Sequence, residues 1–169
     1  MKFNQNFALS LAISGSLILG GCASLQSSHQ IENKTSEQLQ APAQIKLSPE
    51  KMMSHLKAFQ DIAQKNEGNR AVGTKGGLAS AKYILDQAKN AGLNPQMLAF
   101  ENREKTVGQN ILVEIAGQFK ESVILVGAHY DSVKMGPGMN DNATGVATLL
   151  ELMHELNKSK QKPKHTIVL

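Results

Sequence analysis

Three segments of the chain carry apolar residues at helical spacing, and they predict helices at about residues 48–65, 78–91 and 141–157. The first segment opens with Ser48, a residue suited to cap a helix, and continues with Pro49, which is tolerated in the first turn. Gly92 is placed to end the second helix. Residues 66–77, which contain four glycines, are predicted to form a loop between the two.

Apolar and β-branched runs predict four strands, at about residues 94–100, 110–116, 122–128 and 164–169. The run at 122–128 is nearly continuous, which is typical of a strand that is buried on both faces. A strand, a helix and a further strand in this order predict a parallel βαβ unit with a right-handed crossover. The predicted fold class is therefore α/β, a partial three-layer sandwich with a mostly parallel sheet.

The N-terminal residues 1–21 have the features of an export signal. A lysine follows Met1, and the uncharged apolar stretch at 7–19 is shorter than the roughly 20 residues needed to span a bilayer. Small residues then precede Cys22, the single cysteine of the chain. This arrangement resembles the bacterial lipobox, which implies lipidation of Cys22; an ordinary secretory signal is the alternative. By the same resemblance, Ala23 suggests retention in the outer membrane, so we expect an exported lipoprotein that faces the periplasm.

Residues 22–47 are rich in Ser, Gln, Asn, Thr and Lys and show no apolar periodicity. Such a composition predicts a flexible tether between the lipidated cysteine and a folded body that begins at residue 48. The net charge of +4 comes from lysines spread along the chain, while Trp is absent and the only arginines are Arg70 and Arg103. These features argue against a nucleic-acid partner.

The candidate chemistry follows the apolar strand at 122–128. Ligands of open α/β sheets bind at the carboxyl ends of strands, where His129 and Asp131 are placed. Their spacing of two puts them on one face of an extended chain, so Asp131 can orient the His129 ring. Asp141 follows a glycine-rich turn and can face the same place. A carboxylate there can bridge two metals, although Asp141 could also cap the third helix.

The segment from Gly127 to Gly145 resembles the first metal motif of the M28 family of zinc peptidases, which includes bacterial leucyl-type aminopeptidases. Residues 70–74 and 109–114 also resemble the lead-in of that family, and the resemblance extends from about Pro49 to the end of the chain. It implies an incomplete zinc-exopeptidase fold and a site for two zinc ions when complete.

By this resemblance, His129 ligates one zinc, Asp141 bridges both, and Asp131 acts as the carboxylate that orients His129. The family also uses an adjacent Glu-Glu pair, one more acidic ligand and a late histidine, none of which can be placed before Leu169. Residues 48–169 are therefore expected to be the N-terminal part of a truncated peptidase domain.

The expected function is that of a zinc-dependent metallopeptidase, an aminopeptidase that removes N-terminal residues from peptides. The 169-residue chain alone is expected to be inactive, because the general base and the remaining ligands are not found in it. Two alternatives stay open. One is an acyltransferase similar to glutaminyl cyclases, which use one zinc, and the other is a non-catalytic M28-like module on the cell surface.

The remaining histidines, two glutamates, two methionines and Arg70 are expected to have no direct part in the site. Four histidines are predicted to be surface or structural residues: His29, His55, His154 and His165. Glu151 and Glu155 have the spacing of a solvent-facing side of the third helix. Met52 and Met53 are predicted to lie in the core. Arg70 is predicted to close a loop, with any further role implied by the family resemblance alone.

Overall fold

The structure is a computed structural model that describes residues 44–159 and 161–169. These residues belong to a single structural unit. The predicted signal peptide, Cys22 and the tether up to residue 43 lie outside the described residues, as does His29. Within the described part of the chain, no helix has the length and apolar character needed to cross a membrane.

All three predicted helices are present, as α1 (Pro49–Lys65), α2 (Lys75–Asn90) and α3 (Thr144–Lys158). The predicted start of α1 is confirmed, because the Ser48 hydroxyl accepts a hydrogen bond from the backbone of Lys51 at 3.3 Å. This bond satisfies one of the free N–H groups at the helix start.

Helix α2 begins three residues before its predicted start at residue 78. Thr74 is its N-cap and accepts a hydrogen bond from the Gly77 N–H at 3.2 Å. Gly76 and Gly77 therefore belong to the first helical turn and not to the loop. A Cβ at Gly76 would lie 2.0 Å from the carbonyl oxygen of Asn69, so the loop can pack on this turn because a side chain is missing.

Within the described part of the chain, five strands form two sheets: β1 (Gln96–Glu101), β2 (Val107–Leu112), β3 (Glu114–Ile115), β4 (Phe119–Leu125) and β5 (His165–Val168). Strands β1 and β2 form an antiparallel hairpin. The second sheet has the order β3-β5-β4, with β5 antiparallel to β3 and parallel to β4. Since α3 connects the parallel strands β4 and β5, the predicted βαβ unit and the α/β class are confirmed.

The predicted strand at 110–116 is divided at Val113. The backbone N–H and C=O of Val113 both pair with Leu169, each at 2.9 Å, next to the β3–β5 register. The predicted strand at 94–100 is confirmed as β1.

The prediction that the run at 122–128 is buried on both faces is wrong for the described residues. Every residue of β4 is exposed, and the Leu125 and Val123 side chains keep 73% and 55% of their accessible surface. Strand β4 is the outer strand of its sheet, and its extensive packing within the described elements is against β5. The described residues therefore leave the apolar side chains of β4 uncovered.

The core lies between the three helices and is centred on Phe59, which is completely buried, with Ile84, Leu150 and Met153 around it. Burying a side chain of this size stabilises a fold by about 1.5–3 kcal/mol. The prediction that Met53 is a core residue is wrong: it lies on the outer side of α1 and is 62% exposed.

Candidate metal centre

The structure brings the three predicted site residues together beyond the end of β4. The His129 ring lies between two carboxylates, with Nδ1 3.0 Å from Asp131 Oδ1 and Nε2 2.8 Å from Asp141 Oδ1. The chain leading to His129 is held to the sheet, because the Val126 N–H donates to the carbonyl oxygen of Val168 at 2.9 Å. The site therefore lies at the carboxyl end of a strand that pairs in parallel with its neighbour.

Both ring nitrogens of His129 face an acceptor oxygen, and this favours the doubly protonated ring. Burial opposes the charged form, but the hydrogen bonds to Asp141 and Asp131 outweigh it and raise the pKa of His129 above its ordinary value. A neutral imidazole carries one N–H and can donate to only one of the two carboxylates. A metal bound at Nε2 would replace the proton on that nitrogen.

The donor set fits part of a zinc site. Histidine nitrogen and carboxylate oxygen are zinc ligands, and a carboxylate on the other ring nitrogen fixes the tautomer of a metal-binding histidine. The side chains are open to solvent, at 52% exposure for His129 and 90% for Asp141. Among the described residues, however, no group of three or more His, Cys, Asp or Glu residues is placed to hold a metal ion. The three side chains are therefore a candidate for only part of such a site.

Asp141 does not act as a helix cap, so that expectation is wrong. It lies in a π-type turn, Met139–Ala143, with non-helical φ and ψ of −133° and 85°, and the peptide bond to Asn142 is cis. Helix α3 starts at Thr144, and the side-chain bond at its start comes from Asn142, which accepts from the Gly145 N–H at 3.1 Å. The Asp141 carboxylate is therefore free to face His129.

Arg70 closes the loop between the two candidate ligands, in agreement with its predicted loop-closing role. It is completely buried, and its guanidinium donates to the carbonyl oxygens of Tyr130, Pro137 and Gly138. The bonds to Pro137 and Gly138 measure 2.8 and 3.0 Å. Beneath it, the Phe59 ring lies with its centroid 5.0 Å from the guanidinium carbon, a cation–π contact.

A large cavity of about 950 Å³ adjoins His129 and Asp131 and is lined mainly by apolar residues of β2 and α3. Tyr130 crosses towards β2, where its hydroxyl donates to the Gln109 carbonyl oxygen at 2.9 Å. This bond joins the site to the segment at 109–114 that the sequence singled out. Burial raises the pKa of the Tyr130 hydroxyl, which therefore stays protonated at neutral pH.

Glu151 is a buried carboxylate, so its predicted solvent-facing position is wrong. It is 1% exposed because its side of α3 packs against the start of α1. Its Oε1 atom accepts from the Ser48 N–H at 3.2 Å and lies 3.3 Å from the Lys51 ammonium, while Oε2 has no hydrogen-bond partner within the described residues. Glu155, on the same predicted face, keeps 25% of its side-chain surface and also pairs with Lys51.

The remaining histidines of the described chain have structural contacts. His55 is buried and lies 2.6 Å from the Tyr83 hydroxyl, and its ring stacks on that of His154 with centroids 6.2 Å apart. His165 lies 2.7 Å from the Ser122 hydroxyl. Burial lowers the pKa of His55 and of His154, and the neighbouring charge of His154 lowers that of His55 further.

The described residues have an α/β fold that is shared by solved structures of an aminopeptidase precursor and of a glutaminyl cyclase. A leucine aminopeptidase precursor from Bacteroides thetaiotaomicron has the same fold over 75% of this chain and 48% of its own, with a TM-score of 0.60 and 19% identity. A glutaminyl cyclase from Porphyromonas gingivalis matches 73% of this chain and 45% of its own, also with a TM-score of 0.60 and with 21% identity.

Residues 110–169 match the model of Peptidase family M28. Leupeptin-inactivating enzyme 1 from Streptomyces exfoliatus is 35% identical over 113 residues, which are 66% of this chain and 26% of that protein. The protein called "Probable lipoprotein aminopeptidase LpqL" from Mycobacterium tuberculosis is 33% identical over 97 residues, 56% of this chain and 19% of its own length. The chain thus spans about a quarter or less of these relatives.

Proposed function

We propose that the protein is a zinc-dependent peptidase of the M28 family and acts as an aminopeptidase on peptides. One observation carries the proposal: a histidine nitrogen and a carboxylate oxygen, His129 Nε2 and Asp141 Oδ1, meet at 2.8 Å at the end of a strand, and Asp131 faces the other ring nitrogen. The peptidase segment at residues 110–169 and the aminopeptidase name of one relative support the same interpretation.

In this proposal each of the three residues has a separate task. His129 would hold one zinc through its Nε2 atom, and Asp141 would be a ligand available to both zincs. Asp131 accepts the Nδ1 proton of His129 in a hydrogen bond and so fixes which nitrogen is free for metal. Zinc, when bound, polarises the peptide carbonyl and lowers the pKa of water. None of the three residues is the general base.

Zinc binding is the first test, because a stable zinc site uses at least three protein ligands and the proposal assigns only two, His129 and Asp141. We expect the 169-residue chain to bind Zn²⁺ weakly in competition with a chelator dye. Asp141→Ala should abolish this binding, whereas Asp86→Ala, which removes an exposed carboxylate paired with Lys82, should not change it. Equal binding by the wild type and by Asp141→Ala would contradict the proposed site.

The activity test compares two substrates, leucine p-nitroanilide and a peptide with N-terminal glutamine. We expect the purified 169-residue chain to hydrolyse neither. Native protein, captured with an antibody against residues 44–159 from cells that produce it, should release p-nitroaniline in a reaction that a zinc chelator stops. Cyclisation of the glutamine peptide without p-nitroaniline release would instead favour a glutaminyl-cyclase-like acyltransferase. Neither activity in the captured protein would favour the non-catalytic module.

We also propose that a lipid on Cys22 anchors the protein in the outer membrane with its folded unit in the periplasm. The signal-like residues 1–21 support this, as does the lipoprotein name of the mycobacterial relative. In cells fed a radioactive fatty acid, the protein should be labelled and should enter the detergent phase on phase separation. Cys22→Ser should lose both properties, and labelling of that variant would overturn the proposed anchor.

A further inference from the structure

We propose that Arg70 is a positioning residue that holds the loop between the two candidate ligands in its metal-binding geometry before any metal arrives. The inference rests on the proposed metal site. Both ligand side chains are open to solvent, with His129 exposed by 52% and Asp141 by 90%. Packing on the solvent side therefore does not hold these side chains in place. The conformation of the loop has to be set by contacts with buried residues on its other side.

The guanidinium of Arg70 reaches both ends of this loop. Tyr130, the first carbonyl acceptor, directly follows His129, and Gly138, the last one, lies three residues before Asp141. The Gly138 carbonyl oxygen also accepts the Ala143 N–H at 3.2 Å, so the same oxygen links Arg70 to the start of α3. One rigid, planar group thus sets the separation of the two chain segments that carry the ligands.

The backbone of Arg70 makes a second set of hydrogen bonds with the loop. Its N–H donates to the Ser132 hydroxyl at 2.8 Å, and its carbonyl oxygen accepts the Ser132 N–H at 3.3 Å. Ser132 is buried and lies next to Asp131, the carboxylate that faces His129 Nδ1. All three site residues are therefore within three positions of a backbone group that Arg70 holds.

Arg70 forms no ion pair with a carboxylate among residues 44–159 and 161–169; carbonyl dipoles and the Phe59 ring surround its charge instead. A buried cation is costly unless polar groups satisfy it. The loop geometry and the buried charge consequently depend on each other: the carbonyls solvate the guanidinium, and the guanidinium fixes the carbonyls. A lysine would keep the charge but, with one ammonium, could not bind three separated carbonyls in a plane.

The test compares Arg70→Lys with Arg103→Lys, a matched control at the other arginine of the chain, which is exposed. The ¹⁵N chemical shifts of the His129 ring are measured in the metal-free 169-residue protein, and Co²⁺ binding is then followed by visible absorption. Urea titration identifies conditions under which each variant is folded. We expect Arg70→Lys to move the ring shifts of His129 towards those of free histidine and to weaken Co²⁺ binding at least tenfold, with no change in Arg103→Lys.

Wild-type ring shifts and wild-type Co²⁺ affinity in folded Arg70→Lys would overturn the inference. If the wild-type chain binds no Co²⁺, the proposed metal site fails, and the ring shifts alone decide whether Arg70 positions His129. If Arg70→Lys does not fold, Ser132→Ala replaces it in the test. This variant removes the hydroxyl that accepts the Arg70 N–H and leaves the guanidinium unchanged. We expect the same direction of change with a smaller size, and unchanged shifts in Ser132→Ala would then refute the proposal.

Discussion

Glu151 allows a direct test of how burial changes the contribution of a polar contact to the free energy of unfolding. Glu151 and Glu155 both bind the Lys51 ammonium, at 3.3 and 3.1 Å, but Glu151 is 1% exposed and Glu155 25%. Glu151 alone also accepts the Ser48 N–H. Replacing it by alanine removes this charge-assisted bond, for which the usual contribution is about 1.5–3 kcal/mol, and leaves the Ser48 N–H without its acceptor.

We therefore expect Glu151→Ala to lower the free energy of unfolding by about 1.5–3 kcal/mol in urea titrations followed by circular dichroism. Glu155→Ala should have a far smaller effect, since water screens its pairing and Lys51 keeps Glu151 as a partner. Glu151→Gln keeps an acceptor for the Ser48 N–H and should recover most of the loss. Equal losses for Glu151→Ala and Glu155→Ala would refute the idea that burial sets the difference.

Three further predictions concern the site loop and the histidines. Asp131→Asn should weaken zinc binding by about 10–100-fold in the dye competition assay, because it removes the carboxylate that orients His129. Gly138→Ala should lower the unfolding free energy by about 1–3 kcal/mol in urea, since φ is +62° and the new Cβ would lie 2.6 Å from that of Ser132. The contribution of His55 to stability should fall as the pH drops below about 6.5, the ordinary histidine value, because burial lowers its pKa and the unfolded chain then takes up a proton that folded His55 resists.

Each of these predictions has its own control. Asp86→Asn, at an exposed ion pair, should leave zinc binding unchanged, and equal binding by Asp131→Asn would contradict the orienting role. Gly136→Ala has open space around its Cβ and a φ outside the left-handed region, so an equal loss there would show that strain at Gly138 is not the cause. His55→Gln cannot take up a proton at this position and should flatten the stability loss between neutral pH and pH 5. An unchanged slope would exclude His55 as its source.

The sequence predicts the helices and the proximity of His129 and Asp131 well, because local rules govern both. The Ser48 cap and the spacing of apolar residues are sufficient to place α1, and the short separation of His129 and Asp131 is sufficient to bring the two side chains together. The glycine-rich turn also predicts that Asp141 faces the same place, although the second role expected of it, as a helix cap, belongs to Asn142. A turn with non-helical φ and ψ before a helix leaves no periodic signal.

The features that the sequence could not predict depend on how the helices and strands pack against one another. Glu151 and Glu155 stand four residues apart on α3, so their spacing alone assigns them to one face, and only the approach of α1 separates a buried carboxylate from a partly exposed one. The glycines at 76 and 77 are typical of a loop, and only their close approach to the backbone of Asn69 and of Ala71 explains why they lie in a helix. Strand β4 has the apolar composition that is typical of a buried strand, but it is exposed in the structure. The composition of the strand alone could not indicate this.

The bond between Ser48 and Glu151 has a mechanical meaning if residues 22–47 tether the protein to a membrane. Tension along the tether would enter the folded unit at Ser48, the residue that precedes α1. There the Ser48 N–H is held by a side chain from the middle of α3, a helix whose neighbouring residues Leu150 and Met153 lie in the core. A pull on the chain before α1 would thus load the contact with α3 as well as the first turn of α1.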